Sequence, residues 1–103
     1  SNVLYMNYAF SYCNLLDSLN IYNFDTSNVV NMNWMFYYCK SLISLDLTSF
    51  NTLKVKQMMA MFSNCFSLKI VNISNFNTLQ VETMDHMFDN CLSLYLIYKM
   101  ILF

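Results

Sequence analysis

Four cysteines fall 26 residues apart, and this constant spacing constrains the fold more than any other feature. They are Cys13, Cys39, Cys65 and Cys91. A phenylalanine stands three residues before each one, at Phe10, Phe36, Phe62 and Phe88. Valine and methionine recur at the same step, so most apolar positions form columns with one phase. An internal repeat of this length predicts stacked units that bury a shared core.

Composition and length support a stacked array. The chain has 103 residues, of which 57% are hydrophobic and 11% charged, against roughly 45–50% and ~25% in an average globular protein. Disorder is therefore excluded. We predict one array over residues 1–103, with repeats at about 3–28, 29–54, 55–80 and 81–103. Because glycine and proline are absent, the turns must use Asn, Asp, Ser and Thr.

Charge and hydropathy exclude two classes of partner for this segment. The net charge of −1, without clusters of lysine, argues against nucleic-acid binding. No apolar run reaches the ~18–20 residues of a membrane span, and the most apolar stretch, residues 94–103, is in phase with the repeat.

The sequence shows no secretory signal and opens in phase with the repeat. We expect it to be a fragment of a longer array.

The residues before each cysteine have the spacing of a short helix. In the second repeat the apolar positions are three, three, one and three residues apart, which places them on one face of a helix. They are Val29, Met32, Met35, Phe36 and Cys39. The residues between them differ from repeat to repeat, as outward-facing positions would.

The residues after each cysteine alternate with a period of two, which is typical of a short strand. Leu45-Asp46-Leu47 and Val71-Asn72-Ile73 show the pattern, and Leu19-Asn20-Ile21 matches them. Asn51-Thr52 and its equivalents then suit a turn and a helix N-cap. We therefore predict an α/β repeat solenoid, with one short strand and one short helix per 26-residue repeat and a parallel sheet on one side.

The motif resembles a known family. Leu42, Leu45 and Leu47 are similar to the core of a leucine-rich repeat, although Phe50 replaces the usual Asn or Cys ladder residue. The full pattern, from Leu45 through Cys65 to Leu68, resembles the 26-residue BspA-like leucine-rich repeats, also known as DUF285 or mycoplasma lipoprotein-type surface repeats. The resemblance covers residues 3–94 and weakens in the fourth repeat, where Ile97-Tyr98-Lys99 replaces the strand triplet.

That resemblance implies a right-handed leucine-rich-repeat-like solenoid of bacterial or protist surface proteins, commonly associated with adhesion. It implies a location at the cell surface or outside the cell, and a protein as ligand.

The cysteines admit three interpretations, of which a buried structural thiol is favoured. Stacking would place the four sulfurs in one column, whereas a zinc site needs four ligands that converge on one point. Disulfides between neighbouring repeats depend on a separation and orientation that the sequence does not fix. We predict no metal and no cofactor.

Catalysis is not expected. His86 is the only histidine, at a variable position beside Asp85, and no nucleophile is indicated as its partner. The carboxylates show no recurring pairs for acid–base chemistry. A phosphate-binding glycine loop is impossible without glycine.

The positions outside the repeat pattern are the candidate interaction surface. On the strand side they are Asn20, Tyr22, Asp46, Thr48, Asn72 and Ser74; on the predicted helical side they are Trp34, Tyr37 and Tyr38. We predict a non-enzymatic protein-interaction module. A structural spacer in a surface stalk and an intracellular protist scaffold remain alternatives. We also expect contacts with neighbouring repeats, or self-association through uncapped ends.

Overall fold

The computed structural model describes residues 3–13, 21 and 24–98. Within these ranges the regular elements are three short strands: β1 (Ser44–Asp46), β2 (Ile70–Asn72) and β3 (Leu96–Tyr98). They form one parallel sheet in the order β1-β2-β3. Paired residues are 26 apart, as in Ser44 with Ile70 and Ile70 with Leu96. The predicted triplets of the second and third repeats therefore overlap strands. Most of the first-repeat triplet lies outside the described residues.

A second ladder joins the repeats elsewhere on their perimeter. It consists of single-residue parallel bridges that link Tyr5 to Asn31, Asn31 to Gln57 and Gln57 to Thr83. Both ladders keep the 26-residue offset, so successive repeats stack in register.

The predicted helix in each repeat is wrong, and with it the prediction of an α/β solenoid. The described residues contain no helix. Residues 3–13, 29–39, 55–65 and 81–91, here called the turn segments, consist mainly of tight turns. The backbone N–H groups of Met32 and Trp34 donate to the carbonyls of Gln57 and Met59 in the next repeat, at 2.8 and 2.9 Å. The N–H of Met35, which follows Trp34, bonds back to the carbonyl of Met32 at 3.2 Å, and the N–H of Phe36 donates to Met61 in the next repeat at 2.9 Å. Alternate N–H groups thus leave the repeat, and the i to i−4 bonds of a helix cannot form.

Left-handed backbone angles recur at two positions of every turn segment. All eight residues have φ between 54° and 63°. One column contains Tyr8, Trp34, Ala60 and His86, and the other contains Tyr12, Tyr38, Asn64 and Asn90. The apolar spacing that resembled a helix therefore comes from a chain that reverses direction every few residues.

The core runs through the stack as columns of like residues. The rings of Phe10, Phe36, Phe62 and Phe88 follow one another at 5.5, 5.6 and 5.2 Å, within 11° of parallel. Phe36, Phe62, Cys39 and Cys65 are fully buried, as predicted. Phe10, Cys13, Phe88 and Cys91 are only half-buried, because the first and last repeats each have one described neighbour.

Candidate functional site

Five aromatic residues of the first two turn segments lie together on the outside of the stack. They are Tyr8, Tyr12, Trp34, Tyr37 and Tyr38, here called the aromatic surface. The rings of Tyr8 and Trp34 stack at 5.1 Å with 5° between their planes. The rings of Tyr12 and Tyr38 stack at 5.3 Å and 20°. Tyr37 contacts both Tyr12 and Tyr38 edge-on, at 5.6 and 5.5 Å. The surface thus has two groups of rings.

The left-handed columns explain why these rings meet. Tyr8 and Trp34 hold the same place in successive repeats, and so do Tyr12 and Tyr38. Stacking in register therefore brings each pair face to face. In the third and fourth repeats the same places hold Ala60, His86, Asn64 and Asn90. The aromatic surface consequently ends near the third repeat, where the ring of Phe66 meets Tyr38 edge-on at 5.5 Å.

Two residues of the aromatic surface are open to solvent, and its other three residues are half-buried. Tyr8 is 48% exposed and Tyr12 is 56% exposed. The Lys40 ammonium lies 5.7 Å from the centre of the Tyr38 ring, within cation–π range. Partial desolvation, and then the neighbouring Tyr37 and Tyr38, raise the pKa of Tyr12. Its phenol therefore remains a hydrogen-bond donor at neutral pH.

The predicted strand-side residues within the described part of the chain close turns. The Asp46 carboxylate accepts bonds from the N–H and hydroxyl of Thr48, at 2.9 and 2.7 Å. The Asn72 side-chain oxygen does the same for Ser74, at 3.1 and 2.7 Å. These four side chains thus fix the backbone just after β1 and β2. Asn20 and Tyr22 lie outside the described residues.

An amide network between the second and third repeats was missed by the sequence reasoning. The Gln57 side-chain oxygen accepts bonds from the side-chain amides of Asn31 and Asn33, both at 3.1 Å. The Asn33 oxygen in turn accepts the N–H of Met59 at 2.6 Å. The sequence contains one signal for this network. Positions 31, 57 and 83 hold polar residues at the 26-residue spacing, whereas the residues around them vary from repeat to repeat. Thr83, at the end of this ladder, has a buried hydroxyl without a partner among the described residues.

The four cysteines are free thiols, and three of them are hydrogen-bonded to the previous repeat. Cys39, Cys65 and Cys91 donate to phenylalanine carbonyls 29 residues earlier, at 3.0, 3.1 and 3.0 Å. Burial is the main cause that raises the pKa of Cys91 to about 11, and it also raises the pKa of Cys13. A hydrogen bond with Cys39, together with burial, raises that of Cys65. Nowhere in the described ranges do three or more His, Cys, Asp or Glu side chains gather as metal ligands.

The His86 side chain pairs with the carboxylate of Asp89, three residues later. Its Nδ1 lies 2.6 Å from the Oδ2 of Asp89, and both side chains are exposed. This pair belongs to the last turn segment, away from the aromatic surface.

The parallel ladders, the stacked phenylalanine rings and the thiol hydrogen bonds all recur every 26 residues. Together they define a protein of stacked repeats that share one core. A family model described as "Mycoplasma protein of unknown function, DUF285" matches residues 1–96, and the chain belongs to this family. The match confirms the resemblance drawn from the repeat motif. Neither a curated protein nor a solved structure gives a significant match. In the part of the chain that the structure describes, no helix is long and apolar enough to cross a bilayer.

Proposed function

We propose that this chain is a non-enzymatic binding module whose aromatic surface contacts a protein ligand. One observation carries the proposal: the rings of Tyr8 and Tyr12 are exposed, and each stacks on a half-buried ring of the next repeat, Trp34 or Tyr38. Grouped exposed rings are typical of contact surfaces, where Tyr and Trp contribute much of the binding energy.

The backbone beneath the rings supports this assignment. A left-handed angle costs about 1–2 kcal/mol for a residue with a Cβ atom, and bulky residues are poorly suited to it. Asn64 and Asn90 suit these places, because asparagine tolerates the conformation. Large aromatic side chains at 8, 12, 34 and 38 need another reason, and contact with a ligand supplies one.

The proposed mechanism is burial of preformed ring faces. Tyr and Trp provide large contact areas with little loss of side-chain freedom on binding, and stacking already restricts these rings. Charge contributes little, since Lys40 is the one charged group within cation–π range of these rings among the described residues. A ligand segment with apolar or aromatic side chains would fit. We also propose a cell-surface location, on the strength of the family resemblance.

The experiment measures binding of the chain to immobilised fibronectin and laminin, two extracellular-matrix proteins, by biolayer interferometry. Tyr12→Ala should weaken binding about tenfold or more, as expected for a central aromatic contact. The matched control is Leu79→Ala, which removes another exposed apolar side chain (77% exposed) from a different repeat and should leave affinity unchanged.

Equal losses in the two variants, or a wild-type chain that binds neither matrix protein, would contradict the proposal. In the second case a structural spacer becomes the better hypothesis. The turns closed by Asp46 and Asn72 favour that alternative for the strand side.

A further inference from the structure

The third repeat contains a sequence triplet of the kind that accepts sugars in glycosylated proteins. Asn72-Ile73-Ser74 is the one Asn-x-Ser or Asn-x-Thr triplet in the sequence. Such a triplet takes a sugar on its asparagine nitrogen when it lies at the surface and its middle residue is not proline. The triplet alone does not distinguish an acceptor from a chance match, whereas the surroundings of the nitrogen do.

The Asn72 side chain lies on the outer face of the sheet, and its nitrogen is free. Val71 and Ile73 on either side of it are buried, so the side chain between them points outward. The Nδ2 of Asn72 has no hydrogen-bond partner among the described residues. In the same ranges, the Thr83 hydroxyl is the one buried side-chain oxygen or nitrogen without a partner, so solvent reaches Nδ2. Ser74, at the end of the triplet, is exposed.

The turn after β2 polarises this amide. The Oδ1 of Asn72 accepts the backbone N–H of Ser74 at 3.1 Å and its hydroxyl at 2.7 Å. Both bonds stabilise negative charge on Oδ1, which makes a proton on Nδ2 easier to remove. In the second repeat Asp46 closes the same turn with Thr48, at 2.9 and 2.7 Å, but a carboxylate has no nitrogen. Within β1 and β2, the third repeat thus combines this turn with a nucleophile.

We propose that Asn72 is an N-glycosylation site, which takes a sugar from a donor activated by diphosphate. Nδ2 attacks C1 of the sugar, so that a C1–N bond forms and the C1–O bond to the diphosphate breaks. The diphosphate leaves with the electron pair of that bond, and the Nδ2 proton passes to a base of the transferase. Nothing is oxidised or reduced. Because Asn72 lies on the strand side and the aromatic surface belongs to the turn segments, the sugar leaves that surface open.

The experiment incubates the folded chain with a soluble N-glycosyltransferase and UDP-glucose, and mass spectrometry of the intact chain and its peptides locates the product. We expect one hexose, on Asn72. Asn72→Gln should abolish the reaction, and so should Ser74→Ala, which removes the hydroxyl of the turn. Asp46→Asn should admit a second hexose, because it completes an Asn-Leu-Thr triplet in the same turn of the second repeat.

The matched control places a triplet where the nitrogen is occupied. In the Asn72→Gln background, Asn77→Ser completes an Asn-Phe-Ser triplet that begins at Asn75. The Asn75 Nδ2 donates to the carbonyls of Thr48 and Phe50, at 3.0 and 3.3 Å. Since these bonds must break first, the folded control should react about tenfold or more slowly than the wild type. Short peptides that span the two triplets should react at similar rates.

Circular dichroism spectra like that of the wild type establish that each variant is folded. A folded chain that gains no hexose on Asn72 overturns the proposal. Equal rates at the two triplets in the folded chains also overturn it, as does a difference between the peptides as large as that between the folded chains. An Asp46→Asn chain that gains no second hexose shows that the turn does not make an acceptor, and this result too counts against the proposal.

Discussion

The fold requires a left-handed backbone conformation at single residues, which is unusual in a chain without glycine. Eight described residues have positive φ, at the same two places in each turn segment. Each costs about 1–2 kcal/mol relative to an ordinary angle. Ring stacking at Tyr8 and Trp34, and the 2.7 Å bond between the side chains of Asn90 and Asn64, partly offset this cost. Ala60 also has positive φ, but its small buried side chain can form neither a ring contact nor a hydrogen bond to offset the cost.

Ala60→Gly should therefore leave stability unchanged or raise it by up to about 1 kcal/mol. Glycine removes the cost of the left-handed angle. Its greater freedom in the unfolded chain, however, lowers the stability of the fold by about 0.4–1 kcal/mol. In a helix, the same substitution would lower stability by about 1 kcal/mol. Urea denaturation measures the difference.

The control for that experiment is Ala9→Gly, at a place without positive φ. It should lower stability by roughly 0.5–1 kcal/mol. If Ala60→Gly is as destabilising as Ala9→Gly, the left-handed assignment at position 60 is incorrect.

The Cys91 thiol should react slowly because the fold holds it protonated. The pKa of Cys91 is raised to about 11 from 9.0, which leaves roughly a hundredth of the thiolate of an unperturbed cysteine near neutral pH. We expect iodoacetamide to label Cys91 about a hundredfold more slowly in the folded chain than in urea, with the rate rising as pH approaches 11. Cys39 and Cys65, fully buried, should be labelled only after unfolding. Peptide mass spectrometry reports each site, and labelling of Cys91 at the denatured rate would refute this prediction.

At the scale of elements, the strands were predictable and the turn segments were not. The alternation around Asp46 and Asn72 is local, so it located β1 and β2 to within one residue. The spacing of Met32, Met35 and Phe36 also fits a helix. What excludes a helix is bonding to a repeat 25 residues away, which no local pattern contains.

The candidate site likewise has some features that the local sequence shows and others that arise only when the repeats stack. Trp34, Tyr37 and Tyr38 could be selected because they interrupt the repeat pattern. The pairing of Tyr8 with Trp34, and of Tyr12 with Tyr38, was missed, because those pairs exist only once the repeats stack in register. The turn-closing role of Asp46 and Asn72 depends on local backbone angles that alternation does not specify.

Buried threonines tie one repeat to the next where the chain turns after each strand. The Thr52 hydroxyl donates to the carbonyl of Asn77 at 3.0 Å and accepts its N–H at 2.7 Å. Thr26 makes the same two bonds with Asn51, at 3.2 and 2.8 Å. This explains the recurring Asn-Thr pair, which the sequence suggested as a helix cap.

Thr52→Val should lower the free energy of unfolding by about 1–3 kcal/mol, because it leaves the Asn77 backbone groups without their partner at a partly buried place. Thr52→Ser keeps the hydroxyl and should retain most of that stability. Chemical denaturation of the three proteins tests this. Similar losses in the two variants would show that the methyl group, not the hydrogen bonds, is responsible.

At the scale of the molecule, stability depends on how many repeats are covered on both sides. Val3 and Leu4 in the first described repeat, and Tyr95 in the last (71% exposed), leave apolar surface open. The inner columns, by contrast, are almost fully buried. An added inner repeat would therefore bury a complete core layer without creating a new end.

Insertion of a second copy of residues 55–80 after position 80 should stabilise the chain. It adds one interface between repeats to the three marked by the parallel bridges, and stability in stacked repeats is close to a sum over such interfaces. Each kcal/mol gained should raise the thermal midpoint by about 4–8 °C, measured by circular dichroism. Insertion of residues 55–67 alone is the control: half a repeat would set the Cys column against the strand side and should unfold the array. The model of stacking in a 26-residue register fails if the full repeat destabilises the chain as much as the half.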